Sequence, residues 1–199
     1  MSAMHPAAAE PLLPPRPTAL AHALLREVIR AGDLVIDATA GNGHDTVFLA
    51  MCVGAGGRVL AFDVQAAAIA AARARVMAAG VGERVEFFQE SHATMDARAA
   101  VGSVAVVMFN LGYLPGDDRR VMTEPGSSLQ GLNGAVTLLK IGGVLTVICY
   151  PGHPGGAEEA SAVVPWFKAL ATTGWRVARY GTLGTRRPAP FLLLGSKPA

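Results

Sequence analysis

Residues 34–46, Leu-Val-Ile-Asp-Ala-Thr-Ala-Gly-Asn-Gly-His-Asp-Thr, join an apolar strand, a glycine turn and a helix start in one short run. Leu34 to Ala38 is almost wholly apolar, which suits a strand covered on both faces, as in parallel sheets. Gly41 and Gly43 permit dihedrals closed to other residues and let a ligand approach the backbone. The helix expected over His44 to Val53 would aim its free N–H groups and positive dipole end at that ligand. Many α/β domains carry such a turn for structural reasons alone. A second acidic residue, Asp63, narrows the reading. It ends another apolar strand (Arg58 to Phe62) about 20 residues beyond the turn, the spacing at which a carboxylate meets ribose hydroxyls.

The same alternation continues along the chain. Helices are expected from Thr18, as N-cap, to Ala31; from Ala66 to Ala79; from Ala93 to Ala100; from Ser127 or Ser128 to Lys140; and from Glu158 to Thr172, where Pro165 should kink or break the last one. Further strands are expected at Val85 to Gln89, Val104 to Phe109, Val144 to Tyr150, Trp175 to Tyr180 and Pro190 to Leu194. Strands alternating with helices build a doubly wound, mostly parallel sheet. The last two strands are joined by 181–187, too short for a crossover helix, so they form an antiparallel pair. Seven strands with an antiparallel last one make the Rossmann-like α/β fold of class I S-adenosylmethionine-dependent methyltransferases. The expected domain runs over residues 18–199, after a disordered Pro/Ala-rich leader over 1–17.

Composition bounds the function. Hydrophobic residues make up 51% of the chain and charged residues 16%, which describes a packed globular body. With 17 Lys+Arg against 15 Asp+Glu, no strong net field draws a polyanion, so any nucleic-acid contact rests on local patches. Arg16, Arg119, Arg120, Arg186 and Arg187 are the candidates for phosphate contacts. The two cysteines, Cys52 and Cys149, read as small buried hydrophobes, and no disulfide framework is expected. No apolar run reaches the roughly 20 residues that span a bilayer, and no signal-peptide core is present. The expectation is a cytoplasmic protein with no membrane partner. The histidines lack ligand spacing on any one element, so no metal site is expected.

Three strand ends carry the candidate chemistry. At the first, Asp37, Thr39, Gly41, Asn42, Gly43, His44 and Asp45 form the cofactor turn. Thr39 stands where a dinucleotide fingerprint has its first glycine, which disfavours a pyrophosphate and suits a ligand with an amino-acid tail, such as S-adenosylmethionine. Asp63 would take the ribose hydroxyls, with Val64 and Gln65 beside the adenine and Ser91 and His92 at the sheet edge near it. At the second, Phe109-Asn110-Leu111-Gly112-Tyr113 faces the glycine turn across the switch point of the sheet. Asn-Leu-Gly-Tyr resembles the Asn/Asp-Pro-Pro-Tyr motif of methyltransferases that modify amines. There the Asn oxygen and the next backbone carbonyl, here those of Asn110 and Leu111, accept N–H bonds and aim the nitrogen lone pair. Tyr113 would stack on a base. At the third, His153 in Tyr-Pro-Gly-His-Pro-Gly-Gly (150–156) is a candidate base for an ammonium substrate, and Glu158 and Glu159 suit the start of the next helix.

Taken together, Asp37–Thr46, Ala61–Gln65, Ser91-His92, Phe109–Pro115 and Tyr150–Gly156 resemble the bacterial YtqB/MnmM-like family over essentially the whole chain from Thr18. The resemblance implies a class I methyltransferase using S-adenosylmethionine. Its implied substrate is tRNA, methylated on the aminomethyl nitrogen of 5-aminomethyl-2-thiouridine at the wobble position, and its implied assembly is a homodimer. Two other readings stay open on the residues alone. One is the same chemistry on rRNA or a small amine. The other is a non-catalytic nucleotide- or RNA-binding module.

Overall fold

The computed structural model describes residues 14–112 and 125–199. Its core is a seven-stranded sheet in the order β3-β2-β1-β4-β5-β7-β6. The strands are β1 (Leu34–Asp37), β2 (Arg58–Phe62), β3 (Val85–Phe88), β4 (Val104–Leu111), β5 (Leu139–Cys149), β6 (Arg176–Gly181) and β7 (Phe191–Ser196). The helices are α1 (Pro17–Val28), α2 (His44–Val53), α3 (Ala66–Ala78), α4 (Pro125–Leu138) and α5 (Gly156–Ala171), with short 3-10 helices at Gly82–Arg84 and His92–Ala97.

Pairing is parallel from β3 through β5 and antiparallel at β5–β7 and β6–β7, so β7 alone runs against the rest. This is the fold expected from the sequence. The position of β7, inserted between β5 and β6, follows from burial. Phe191, Leu192 and Leu193 are buried, whereas β6 carries Arg176 and Arg179 and takes the edge. An edge strand keeps one face and one side in water, where charged residues also block further pairing.

Strand residues alternate between two cores. Ile36, Leu60, Phe62, Val107, Phe109 and Val147 face α4 and α5, while Val35, Val59, Val106, Met108 and Ile148 face α1, α2 and α3. Each such fully buried side chain contributes about 1.5–3 kcal/mol. Helix α5 runs through Pro165 without interruption. A mid-helix proline costs about 3 kcal/mol, and the burial of Val163, Phe167 and Leu170 on the same helix offsets it. Helix α1 begins at Pro17 with Arg16 as its N-cap, two residues before the expected N-cap Thr18; a proline at the first helical position loses no hydrogen bond and arrives with a helical φ. The carbonyl of Pro15 accepts a bond from the Tyr180 hydroxyl at 2.8 Å, so residues just before α1 already pack on the sheet. Most of the expected leader, residues 1–13, lies outside the described residues. Strand β5 starts at Leu139 instead of Val144, its first residues pairing with β4 across a register irregularity at Val104–Val106. Cys149 is buried as expected, but Cys52 is only half-buried. Among the described residues no helix is long and apolar enough to cross a membrane, and no cluster of His, Cys, Asp or Glu could hold a metal ion.

Candidate functional site

Because β1 and β4 pair in parallel with helices leaving to opposite faces, their carboxyl ends open a crevice at the switch point of the sheet. The glycine turn fills one side of it. Gly41 and Gly43 have φ of +50° and +77°, and Gly43 is the left-handed N-cap of α2. The turn is tied on three sides. The Ala38 N–H donates to the Met108 carbonyl and the Ala40 N–H to the Phe62 carbonyl, both at 2.8 Å, while the Asn42 carbonyl accepts from Arg75 Nε at 2.6 Å.

Asp37 lies wholly buried beneath this turn. Its carboxylate accepts from the Thr39 N–H at 3.1 Å and from the Thr46 hydroxyl at 2.6 Å. Burial first, then the nearby Asp45 carboxylate, push its pKa up to about 7, against the pull of those two bonds. Asp63, at the end of β2, accepts from the Gly41 N–H and the Gln65 N–H, each at 2.9 Å. One carboxylate therefore shapes both the turn and the start of α3. Val64 is about half exposed beside it, and Gln65 is the N-cap of α3.

Asn110 faces the turn as expected. Its backbone N–H donates to Thr39 Oγ1 at 2.7 Å, which joins β4 to the loop after β1. Its side-chain Nδ2 donates to Asp45 Oδ2, and its Oδ1 accepts from the Tyr150 hydroxyl at 3.3 Å. The other Asp45 oxygen is bonded to His22 Nε2 at 2.6 Å. Burial raises the Tyr150 pKa, so the phenol keeps its proton and remains a donor. His153 packs its ring edge-on against Tyr150, with centroids 5.7 Å apart. The Leu111 side chain is buried. Tyr113, Arg119 and Arg120 lie outside the described residues.

The remaining candidates divide. His44 is the exposed first residue of α2 and Asn42 is exposed in the turn. Ser91 caps the following 3-10 helix by accepting from the Ala93 N–H at 3.2 Å. His92 is only 5% exposed, with its ring edge-on against Phe109 and its pKa held below the ordinary value by burial. A Cβ at Gly131 would stand 2.5 Å from the His92 ring, so α4 seats this histidine by close approach. The structure thus brings Asp37, Thr39, the glycine turn, Asp45, Asp63 and Asn110 together and places His92 in the packing beneath α4. Sequence reasoning passed over two residues that touch this constellation. Tyr150 follows the last residue of β5, a position a strand-end argument could have found. His22, on α1, carried no local signal.

Three carboxylates around one glycine turn, one of them raised to about 7 chiefly by burial and then by the Asp45 charge, form a donor set that fits a ligand bearing positive charge and vicinal hydroxyls. Comparison with known proteins agrees. The family described as "Putative rRNA methylase" matches residues 59–195. The chain belongs to that family. A curated tRNA (mnm(5)s(2)U34)-methyltransferase, chloroplastic, from Arabidopsis thaliana is 37% identical over 185 residues, covering 88% of this chain and 67% of that protein. The crystal structure of a "putative rRNA-methylase" from Clostridium thermocellum has a TM-score of 0.89 at 35% identity, covering 94% of this chain and all of that one. A "putative methyltransferase" from Streptococcus mutans in complex with SAH has a TM-score of 0.82 at 33% identity, covering 92% and 98%. The family is one of class I methyltransferases, and S-adenosylmethionine is its cofactor.

The pKa of Asp37 makes a prediction. Folding raises it from 3.8 to about 7, so between those values the folded state holds more protons than the unfolded one and stability falls as pH rises. The effect is absent below about pH 4 and complete above about pH 7, on the order of 4 kcal/mol at most. A cationic cofactor favours the ionised carboxylate. Its binding at pH 7 should therefore release a proton, seen as a binding enthalpy that depends on the ionisation enthalpy of the buffer in calorimetry. A buffer-independent enthalpy would show that Asp37 does not titrate with the ligand.

Proposed function

We propose that this protein methylates the aminomethyl nitrogen of 5-aminomethyl-2-thiouridine at the wobble position of tRNA. The observation that carries the reading is the side chain of Asn110, held at the glycine turn with its NH2 group turned to Asp45 and its Oδ1 on the other side. An amide oxygen and a backbone carbonyl in series are suited to a nitrogen with two N–H bonds. The Arabidopsis relative named for this uridine supplies the substrate class.

When bound, S-adenosylmethionine supplies a methyl group on a sulfonium, whose C–S bonding pair leaves to sulfur as the new N–C bond forms. In this reading Asp63 holds the ribose hydroxyls, with Val64, Gln65 and Ser91 around the base. Gly41, Asn42, Gly43 and His44 shape the approach, and Asp37 offsets positive charge. Asn110 Oδ1 and the Leu111 carbonyl accept the two N–H bonds of the neutral amine, which leaves the lone pair as the only free direction on nitrogen. Holding the nitrogen in line is most of the rate enhancement such a site can supply. Tyr113 stacks on the uridine. An aminomethyl group arrives as an ammonium and must shed one proton; His153, packed on the tyrosine that reaches Asn110, is the acceptor we assign. The phosphate contacts we assign are to Arg186 and Arg187, exposed in the loop between β6 and β7. That loop meets the His153 loop where a Cβ at Gly152 would lie 2.8 Å from the Pro188 carbonyl. The reading takes residues 18–199 as one catalytic domain and the protein as a cytoplasmic homodimer.

The test is to incubate the purified protein with labelled cofactor and tRNA from cells lacking this gene, then digest and analyse nucleosides by mass spectrometry. Methylation of the aminomethyl thiouridine is the expected result. Label appearing only in rRNA, or only on small amines, would replace the tRNA reading. No cofactor binding by calorimetry would favour a binding module without catalysis.

A further inference from the structure

Resting on the amine-orienting role of Asn110, we propose that Asp45 and His22 are positioning residues that decide which end of the Asn110 amide faces the substrate. An asparagine amide presents an oxygen on one side and an NH2 on the other, nearly equal in shape. Only the oxygen can accept an amine N–H. With the amide reversed, the NH2 would donate to the nitrogen lone pair, the electrons needed for attack, and block it.

The surroundings of Asn110 distinguish the two orientations. An ionised carboxylate only accepts hydrogen bonds, so Asp45 Oδ2 takes the NH2 end. On the other side the Tyr150 hydroxyl donates to Oδ1 at 3.3 Å. That oxygen has two lone pairs, so one remains for a substrate N–H. Reversal would set the amide oxygen against a carboxylate oxygen, while the Tyr150 hydroxyl, which accepts as well as donates, serves either orientation, so Asp45 makes the choice. The Asp45 carboxylate is itself held, since His22 Nε2 donates to its other oxygen at 2.6 Å. The His22 ring lies flat on Phe48, with centroids 3.8 Å apart and planes within 6°. Phe48 follows Asp45 by three residues on α2, the spacing that puts two side chains on one helix face. Helix α1 thus reaches the site through the His22 imidazole, with Thr18 bonded to Tyr150 beside it, and both positioning residues precede the matched stretch that begins at residue 59.

Two measurements test this, one of them independent of substrate. In a 15N–1H spectrum of the cofactor-bound protein, the Asn110 side-chain NH2 is identified by its loss in Asn110→Ala. Asp45→Ala should move that NH2 signal and speed its exchange with water, and His22→Ala should do so to a smaller degree. An Asn110 signal indifferent to Asp45→Ala overturns the proposal whatever the substrate is. In turnover with the substrate tRNA at saturating cofactor, Asp45→Ala should lower kcat on the order of 100-fold. It should add little to Asn110→Ala in the double variant, because both remove one function. Independent, additive losses would overturn the coupling. Asp45→Asn is the control for folding and for charge. Its carbonyl can still take the Asn110 NH2 while its own NH2 meets an unprotonated His22 Nε2, so it should recover most of kcat. Failure of that rescue in a folded, cofactor-binding protein would mean that the charge of Asp45 matters and the amide orientation does not. A wild type that binds cofactor but methylates no tRNA refutes the substrate reading, and the NMR result then decides this proposal alone.

Discussion

Asn110→Ala should lower turnover by about 100- to 1,000-fold while the cofactor Kd changes by less than about threefold. The backbone N–H of residue 110 keeps its bond to Thr39, so the turn that would hold the cofactor is not disturbed. What disappears is the acceptor that aims the nitrogen, together with the partner of the Asp45 and Tyr150 side chains. Asp45 retains His22, and the Tyr150 hydroxyl can turn to water, so folding should lose only about 1–2 kcal/mol. Single-turnover kinetics with saturating cofactor, beside calorimetry of cofactor binding, separate the two effects. Equal losses in both would mean that Asn110 belongs to the cofactor site and not to the amine.

Gly43→Ala should have the largest effect on the fold near the site. The residue caps α2 with φ +77°, a conformation that costs an L side chain about 1–2 kcal/mol. The added Cβ would also stand 2.7 Å from the Ala72 Cα and 3.1 Å from the Ala72 carbonyl oxygen, both backbone atoms of α3 that cannot rotate away. Overpacking of this kind adds about 1–3 kcal/mol. A total near 3 kcal/mol lowers the melting temperature of a chain this size by roughly 6–12 °C. Because α3 must shift, the Asp63 bonds to Gly41 and Gln65 shift with it, so cofactor affinity should fall as well. Thermal denaturation with and without cofactor checks both. An unchanged melting temperature would show that α2 and α3 can part without strain.

The two predictions stand on different kinds of information. Gly43 was visible as a turn residue because only glycine enters that region freely. Its contact with Ala72 was not, since nothing in a sequence says which helix will lie against a turn. The same division runs through the fold. The limits of α2 agree with the sequence reading because Gly43 and Gly54 bound it, and β2 begins directly after Gly57. Pro165 does not break α5, because a local rule, the missing N–H, is outweighed by burial of Val163 and Phe167, which is a tertiary quantity. Gly142-Gly143 reads locally as a turn but lies within β5, where backbone hydrogen bonds to Lys197, just after β7, hold it.

For the site, the sequence by itself determined the parts: a glycine turn lacking its first glycine, a carboxylate one strand further on, and an asparagine at the end of the strand across the switch point. Each follows from short-range chemistry and from the topology that alternating strands impose. Only the tertiary structure decided how those parts are held. Asp45 is turned to Asn110 and His22 rather than left open in the turn, Tyr150 joins from the loop after β5, and His92 goes beneath α4. Those choices depend on hydrogen bonds and ring contacts between residues far apart in the chain. Local pattern does not encode the directions of side chains that meet only after the sheet has formed.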